Sequence, residues 1–202
     1  AEHISETGIN SMSYQQEPNQ IIWCVREDGK LVGLTYQREQ QVVAWHQHIF
    51  GGAFSTGNAV CETVATIPTN DKEYQTWVIV KRTINGVTRR YVEYLNQFDF
   101  NEDDNTEFNF LDSQLAYSGS ATTTITGLDH LEGQTVSVLA NGSTHPDRTV
   151  SGGSITLARS STKVKVGLSY TSILQTMRID AGAQNGTSQA KTKRIYNITV
   201  RL

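Results

Sequence analysis

Four runs of similar length, IIWCVRE (21–27), KLVGLTY (30–36), VVAWHQH (42–48) and AVCETVATI (59–67), follow one another across short polar connections. Each is rich in β-branched and aromatic residues, and none holds a helical period long enough to form an amphipathic helix. A chain punctuated this way buries its apolar side chains by pairing strands. The expected product is an antiparallel four-stranded meander, built like one blade of a β-propeller. Asp28-Gly29 is the expected first turn, because a type I′ hairpin asks for positive φ at both central positions and Gly accepts it without steric cost.

The strongest single hairpin signal lies further on, where Asn85-Gly86 separates YQTWVIVKRT from VTRRYVEYL. That hairpin is expected to begin a second sheet. From Asn96 the pattern breaks into NQFDFNEDDNTEFNFLD, acidic and interleaved with Phe98, Phe100, Phe108 and Phe110. Its phenylalanines are expected to dock on the sheets while its carboxylates stay in water. Beyond it, ATTTITG, TVSVLA, SITLA, KVKVGLSY and TSILQTMRI read as strands, with turns at Asn141-Gly142 and Gly152-Gly153. Short Thr- and Val-rich strands at this spacing predict a small barrel or sandwich. The predicted organisation is a connector over residues 1–20, a propeller-like β-sheet region over 21–95 and an acidic Phe-rich loop over 96–114. A small barrel-like insert over 115–180 and a loop with a return strand over 181–202 complete it. The fold class is all-β.

Composition removes several functions. With 202 residues, 37% of them apolar and only three prolines, the chain can bury a core. A net charge of −3 provides no basic field for holding a phosphate backbone. The local groups Lys81-Arg82 with Arg89-Arg90, and Lys191, Lys193 and Arg194, read as solvated strand faces. Cys24 and Cys61 are expected to be free, buried thiols rather than a disulfide or a zinc pair. No apolar run reaches membrane-spanning length, and AEHISETGIN has no signal-peptide pattern. The start at Ala1 and the strand-like end KRIYNITVRL are expected of a segment of a longer polypeptide.

Few residues invite chemistry. His46 and His48 alternate beside Trp45, so both imidazoles are expected on one face of a strand, where a third ligand would complete a metal site. Asp99, Asn101 and Asp103 match the first ligand positions of a calcium loop, but Asp104 stands where Gly is needed and Phe110 where a bidentate Glu is needed. His130 and His145 read as turn residues beside Asp129 and Asp147, without a Gly-x-Ser-x-Gly nucleophile context. Glu62, Glu93 and Glu132 are the carboxylates to weigh for glycoside hydrolysis, and Trp23, Trp45, Trp77, Tyr91 and Tyr94 the rings to weigh for sugar stacking. The expectation is no enzyme, no cofactor and no resident metal. Trp45, His46, His48, Asp99, Asp103 and Asp104 remain as interaction candidates.

Longer phrases carry a resemblance. SMSYQQEPNQIIWCVREDGKLVGLTYQREQQVVAWHQH (11–48) and WVIVKRTINGVTRRYVEYL (77–95) resemble the middle of the bacteriophage tail nozzle, or tail tubular B-like, structural protein family. TGLDHLEGQTVSVLANGSTHPDRTV (126–150) and KVKVGLSYTSILQTMRI (163–179) look like the β-barrel insert of the same proteins, a unit similar to the first catalytic cysteine half-domain of ubiquitin-activating enzymes. Cys24 and Cys61 both lie outside that insert, so the similarity implies a fold and no ubiquitin chemistry. The resemblance implies a virion tail component made in the bacterial cytoplasm, working with other tail proteins and copies of itself around a channel through which DNA passes without specific binding. The runner-up is a carbohydrate- or host-surface-binding β module of such an assembly.

Overall fold

The computed structural model describes residues 2–70, 73–96, 104–173, 175, 194 and 197–199. Apart from one helical turn, α1 (Glu2–Ser5), and a single 3-10 turn (Asp129–Leu131), its regular structure is antiparallel strand. The first sheet has the order β1-β2-β3-β4, with β1 (Ile9–Gln15), β2 (Ile21–Arg26), β3 (Leu31–Gln37) and β4 (Val42–His48). A short hairpin, β5 (Ala53–Phe54) with β6 (Gly57–Asn58), leads to a three-stranded sheet of β7 (Val60–Pro68), β8 (Tyr74–Ile84) and β9 (Val87–Tyr94). The last sheet has the order β10-β13-β11-β12, from β10 (Asp112–Thr126), β11 (Thr135–Ala140), β12 (Ser143–Thr149) and β13 (Ser154–Leu168). Ser172 to Leu202 cluster as a separate unit, whose described residues carry no regular secondary structure.

The four-stranded meander exists, but one strand of its membership differs from expectation. The connector read over residues 1–20 contains β1, which pairs with β2 from Ile9↔Arg26 to Gln15↔Ile21. The run at 59–67, expected as the fourth strand, instead pairs with β8. The reason is chain length: the loop and hairpin after His48 carry the chain away from the β4 edge, while INSMSYQ packs through Ser11, Ser13 and Gln15 and so hides its strand from a hydrophobic pattern. Ser13 Oγ meets Thr66 Oγ1 at 2.7 Å and Thr66 Oγ1 donates to the Tyr14 carbonyl at 2.8 Å, so side-chain hydroxyls bridge β1 to β7 between the two sheets.

The inner faces of these sheets share one core of Trp23, Val25, Leu31, Phe50, Cys61, Val64, Val78 and Val80. Period-two alternation selects these residues, and the same alternation sends Cys24 and Val32 to the outer face of the first sheet, under Ile4 and Trp45. A buried polar knot ties the layers: the Gln15 side-chain oxygen accepts from Trp23 Nε1 at 3.0 Å and from Thr76 Oγ1 at 2.8 Å. Both cysteines are free and buried. Burial pushes the Cys61 thiol up to about 12, so it packs as a small apolar group at neutral pH.

Three of the four dipeptide turns behave as expected. Asn85-Gly86, Asn141-Gly142 and Gly152-Gly153 all have positive φ at both positions. At Asp28-Gly29 only Gly29 does, and Arg26 N–H donates to the Lys30 carbonyl, so the loop is the three-residue form with a bulge rather than type I′. The Asp28 carboxylate, paired with Arg26 at 3.0 Å, favours that longer loop.

In the last sheet SITLA and KVKVGL belong to one long strand, β13, and β12 was hidden because STHPDRT has no apolar period. His145 therefore lies in a strand and not a turn. The backbone ladder stays open. Side chains span the gap instead: Ala158 N–H donates to His145 Nε2 at 2.8 Å, and Arg148 Nε donates to the Thr156 carbonyl at 2.8 Å. Inside lie Ile125, Leu128, Leu131, Val136, Val138, Val150, Ile155, Leu157, Val164, Val166 and Leu168. Thr171–Ile173, expected to start a strand, have none, and most of TSILQTMRI and KRIYNITVRL lies outside the described residues.

The acidic segment is shorter than expected at its C-terminal end, since β10 begins at Asp112. Asp112 accepts from Gly51 N–H at 2.6 Å, and the Gly51 carbonyl accepts from Arg82 Nε at 2.8 Å. One residue of the loop after β4 thus connects the β8 guanidinium with the start of β10.

Candidate functional site

The densest cluster of unusual side chains is on the inner face of the first sheet, at its β4 edge. Trp23, Gly33 and His46 are cross-strand partners on β2, β3 and β4, and His48 faces Leu31 two pairs along, on the same face. With no side chain on Gly33, the His46 ring lies across the β3 backbone: a Cβ there would meet His46 Cε1 at 2.2 Å. This brings His46 to 5.4 Å and His48 to 5.3 Å from the Trp23 ring, and the two imidazoles to 4.9 Å from each other. His46 Nδ1 and His48 Nε2 are 2.7 Å apart, and His46 Nε2 is 3.3 Å from Thr35 Oγ1. A pocket of about 220 Å³ opens beside His48, bordered by Asp28, Lys30, Ile49, Phe54 and Asn58.

The electrostatics favour neutral rings. Burial, then the neighbouring His46, hold the His48 imidazole down at about 4, and burial also lowers His46. In the neutral pair one nitrogen donates across the gap and the other accepts, and protonating the accepting nitrogen would set two N–H groups against each other. The linkage sign follows. The folded pKa of His48 is below the unfolded value, so the contribution is complete above about pH 6.5 and is lost as pH falls from there through about 4. Stability is expected to drop by roughly 2 kcal/mol over that window, measured by urea unfolding at a series of pH values, with a flatter profile for His48→Gln. An unchanged profile in the variant would remove His48 as the source.

Gly33→Ala tests the cradle. The new methyl collides with a ring that Trp23 blocks, so a loss of about 1–3 kcal/mol is expected, together with the disappearance of the paired imidazole resonances. A silent Gly33→Ala would mean that His46 has another place to go.

The other sequence candidates are scattered. Trp45 is on the opposite face of β4, against Ile4, Cys24 and Val32, so it shares no site with the histidines. Asp99 and Asp103 lie outside the described residues. Asp104 accepts from Thr106 N–H at 2.9 Å and from Lys163 Nζ at 3.1 Å. These bonds, those from Thr106 first, hold its carboxyl down to about 2. Lys163 also reaches Glu107 at 2.6 Å, so basic residues of β13 pin this part of the acidic segment. Phe108 and Phe110 stack edge-on at 5.4 Å, and Phe110 is exposed rather than docked in a core.

Each carboxylate weighed for hydrolysis has a partner. Glu62 pairs with Arg90 at 2.7 Å and Lys81 at 3.0 Å. Glu93 takes a bidentate pair of bonds from Arg82. Glu132 accepts Gly152 and Gly153 N–H at 3.0 and 2.8 Å, capping that turn. His130 Nε2 contacts the Ser113 carbonyl, and the His130 carbonyl accepts from Tyr91 Oη at 2.9 Å. Among the described residues no group of three or more His, Cys, Asp or Glu side chains could hold a metal ion, and no helix is long and apolar enough to cross a membrane.

The sequence pattern missed the outer face of the β7-β8-β9 sheet. There Ala65, Trp77 and Tyr94 form one cross-strand row, and Ile79 with Val92 the next. Val92 is 68% exposed and Tyr94 51%. Alternation on β8 and β9 could have located the face, because Val78 and Val80 already fill the inner one. No protein-family model matches this sequence, and no curated protein matches it.

Proposed function

We propose that this chain is a non-enzymatic structural module of a phage or prophage tail, its first two sheets acting as a propeller-like wall element and its last sheet as a barrel-like knob. The supporting observation is the exposed apolar face of the β7-β8-β9 sheet, with Val92 and Tyr94 exposed on β9 and Ile67 half exposed on β7 at the other side of β8. Contiguous exposed apolar rows of this kind are characteristic of surfaces that meet other proteins. The engagement of Glu62, Glu93 and Glu132 in ion pairs and turn caps accords with a scaffold that does no acid–base chemistry. A net charge of −3 accords with a wall past which DNA moves without being held.

The test is solution mass by light scattering coupled to size exclusion over a concentration series. A closed ring of defined copy number is the expected result, abolished by Val92→Glu. A strict monomer at every concentration would overturn self-assembly by this chain. One observation favours a second reading, a glycan-binding module of a tail: Trp77 and Tyr94 sit 5.2 Å apart as a partly exposed aromatic step, on the same sheet as the Arg90–Glu62 ion pair. A monomer that binds glycans and loses them with Tyr94→Ala would establish that reading instead.

A further inference from the structure

We propose that His46 and His48 form a two-histidine chelate for a divalent transition metal of the zinc, nickel and copper class, with water in the remaining coordination positions. The inference goes beyond the tail reading and does not depend on it.

The geometry brings together two of the ligands such an ion needs. Two imidazoles two residues apart on a strand point the same way, and here their nitrogens converge to 2.7 Å. Two nitrogens on one tetrahedral zinc, each at about 2.0–2.1 Å, would stand about 3.3 Å apart, so the rings need to part by only about 0.6 Å. Thr35 Oγ1 lies 3.3 Å from the outer nitrogen of His46, where it can accept an N–H and leave the Nδ1 lone pair directed into the gap. Orientation of a ligating imidazole through its other nitrogen is the usual outer-shell arrangement in metal sites. The Gly33 hollow and the Trp23 ring fix where the imidazoles lie, so little ordering remains to be done on binding.

Ligand chemistry narrows the ion. Imidazole suits zinc, copper and nickel, whereas calcium and magnesium require oxygen ligands that this edge does not supply. A bound ion would tie the end of β4 more firmly over the β3 backbone at an edge of the sheet.

The experiment is calorimetric titration of the whole chain with zinc chloride in a non-coordinating buffer, with calcium chloride in parallel. One zinc per chain is expected, with at least tenfold weaker binding in His48→Gln and in His46→Gln and no binding of calcium. Should His46→Gln fail to fold, the unaltered protein still gives the answer by proton NMR: zinc must shift the imidazole signals of His46 and His48 and leave those of His130 and His145 in place. A His3→Gln variant is titrated alongside. Zinc binding that survives His48→Gln, disappears with His3→Gln, or is absent at millimolar zinc overturns the proposal.

Discussion

Replacing Arg82 with methionine is expected to destabilise the folded chain by about 3–5 kcal/mol, the cost of leaving buried partners without their counter-charge. Arg82 has no exposed surface, because the inward alternation of β8 that buries Thr76, Val78 and Val80 continues through it. Its guanidinium holds both oxygens of Glu93 and the Gly51 carbonyl. Gly51 N–H in turn donates to Asp112, whose carboxyl is pushed up chiefly by burial and drawn back by that N–H and by Arg82. Methionine keeps most of the apolar stem and loses the bonds to Glu93 and to the Gly51 carbonyl. If the arrangement acts as a unit, adding Glu93→Gln to Arg82→Met costs much less than the two single losses summed. Urea unfolding of the single and double variants measures this. Additive losses, or an Arg82→Met effect under about 1 kcal/mol, would show that Glu93 and Asp112 find other partners.

Leu131→Ala is expected to cost about 2–5 kcal/mol, in the upper part of that range. Leu131 is fully buried at the end of the 3-10 turn that plugs the last sheet, in one cluster with Leu128, Val136, Val150 and Ile155. The size of the effect depends on whether the site can collapse, and the backbone here is held from several directions. Leu128 N–H donates to the Gly153 carbonyl, Gln134 N–H to Leu131, and Val150 N–H to Gln134. Glu132 fixes the adjoining turn through Gly152 and Gly153. A void opened under such a turn stays open. Leu131→Met, which conserves volume, is expected to lose under about 1.5 kcal/mol in the same circular-dichroism urea titration. Equal losses in the two variants would mean that shape, not cavity volume, dominates there.

Alternation and turn chemistry made much of the fold legible. Period two placed His46 and His48 together and Trp45 opposite, but Arg82, read with Lys81 as part of a solvated strand face, is fully buried, because alternation along β8 turns it inward with Val78 and Val80. The Asn-Gly turns set the β8-β9 register and the turn end of β11-β12, where pairing holds from Ala140↔Ser143 to Val138↔His145 before a bulge shifts it. Where hydrophobic pattern was weak, strands were overlooked: INSMSYQ and STHPDRT are held by backbone pairing and by hydroxyl, imidazole and guanidinium contacts that leave no apolar signature. Of the candidate site, the same-face histidines were legible and their convergence was not. It depends on Gly33, a residue of another strand whose importance is the absence of a side chain.

The sequence by itself determined an all-β chain, the positions of most strands, most of the tight turns and the shared face of His46 and His48, because those follow from steric preferences acting over a few residues. Only the tertiary structure decided that β1 completes the first sheet while β7 leaves it, that Gly51 joins Arg82 to Asp112, and that two imidazoles meet over a glycine. Strand pairing is a contest between edges distant in the chain, won by the summed burial and hydrogen bonding of the whole, and a local pattern specifies a face without specifying the partner that covers it.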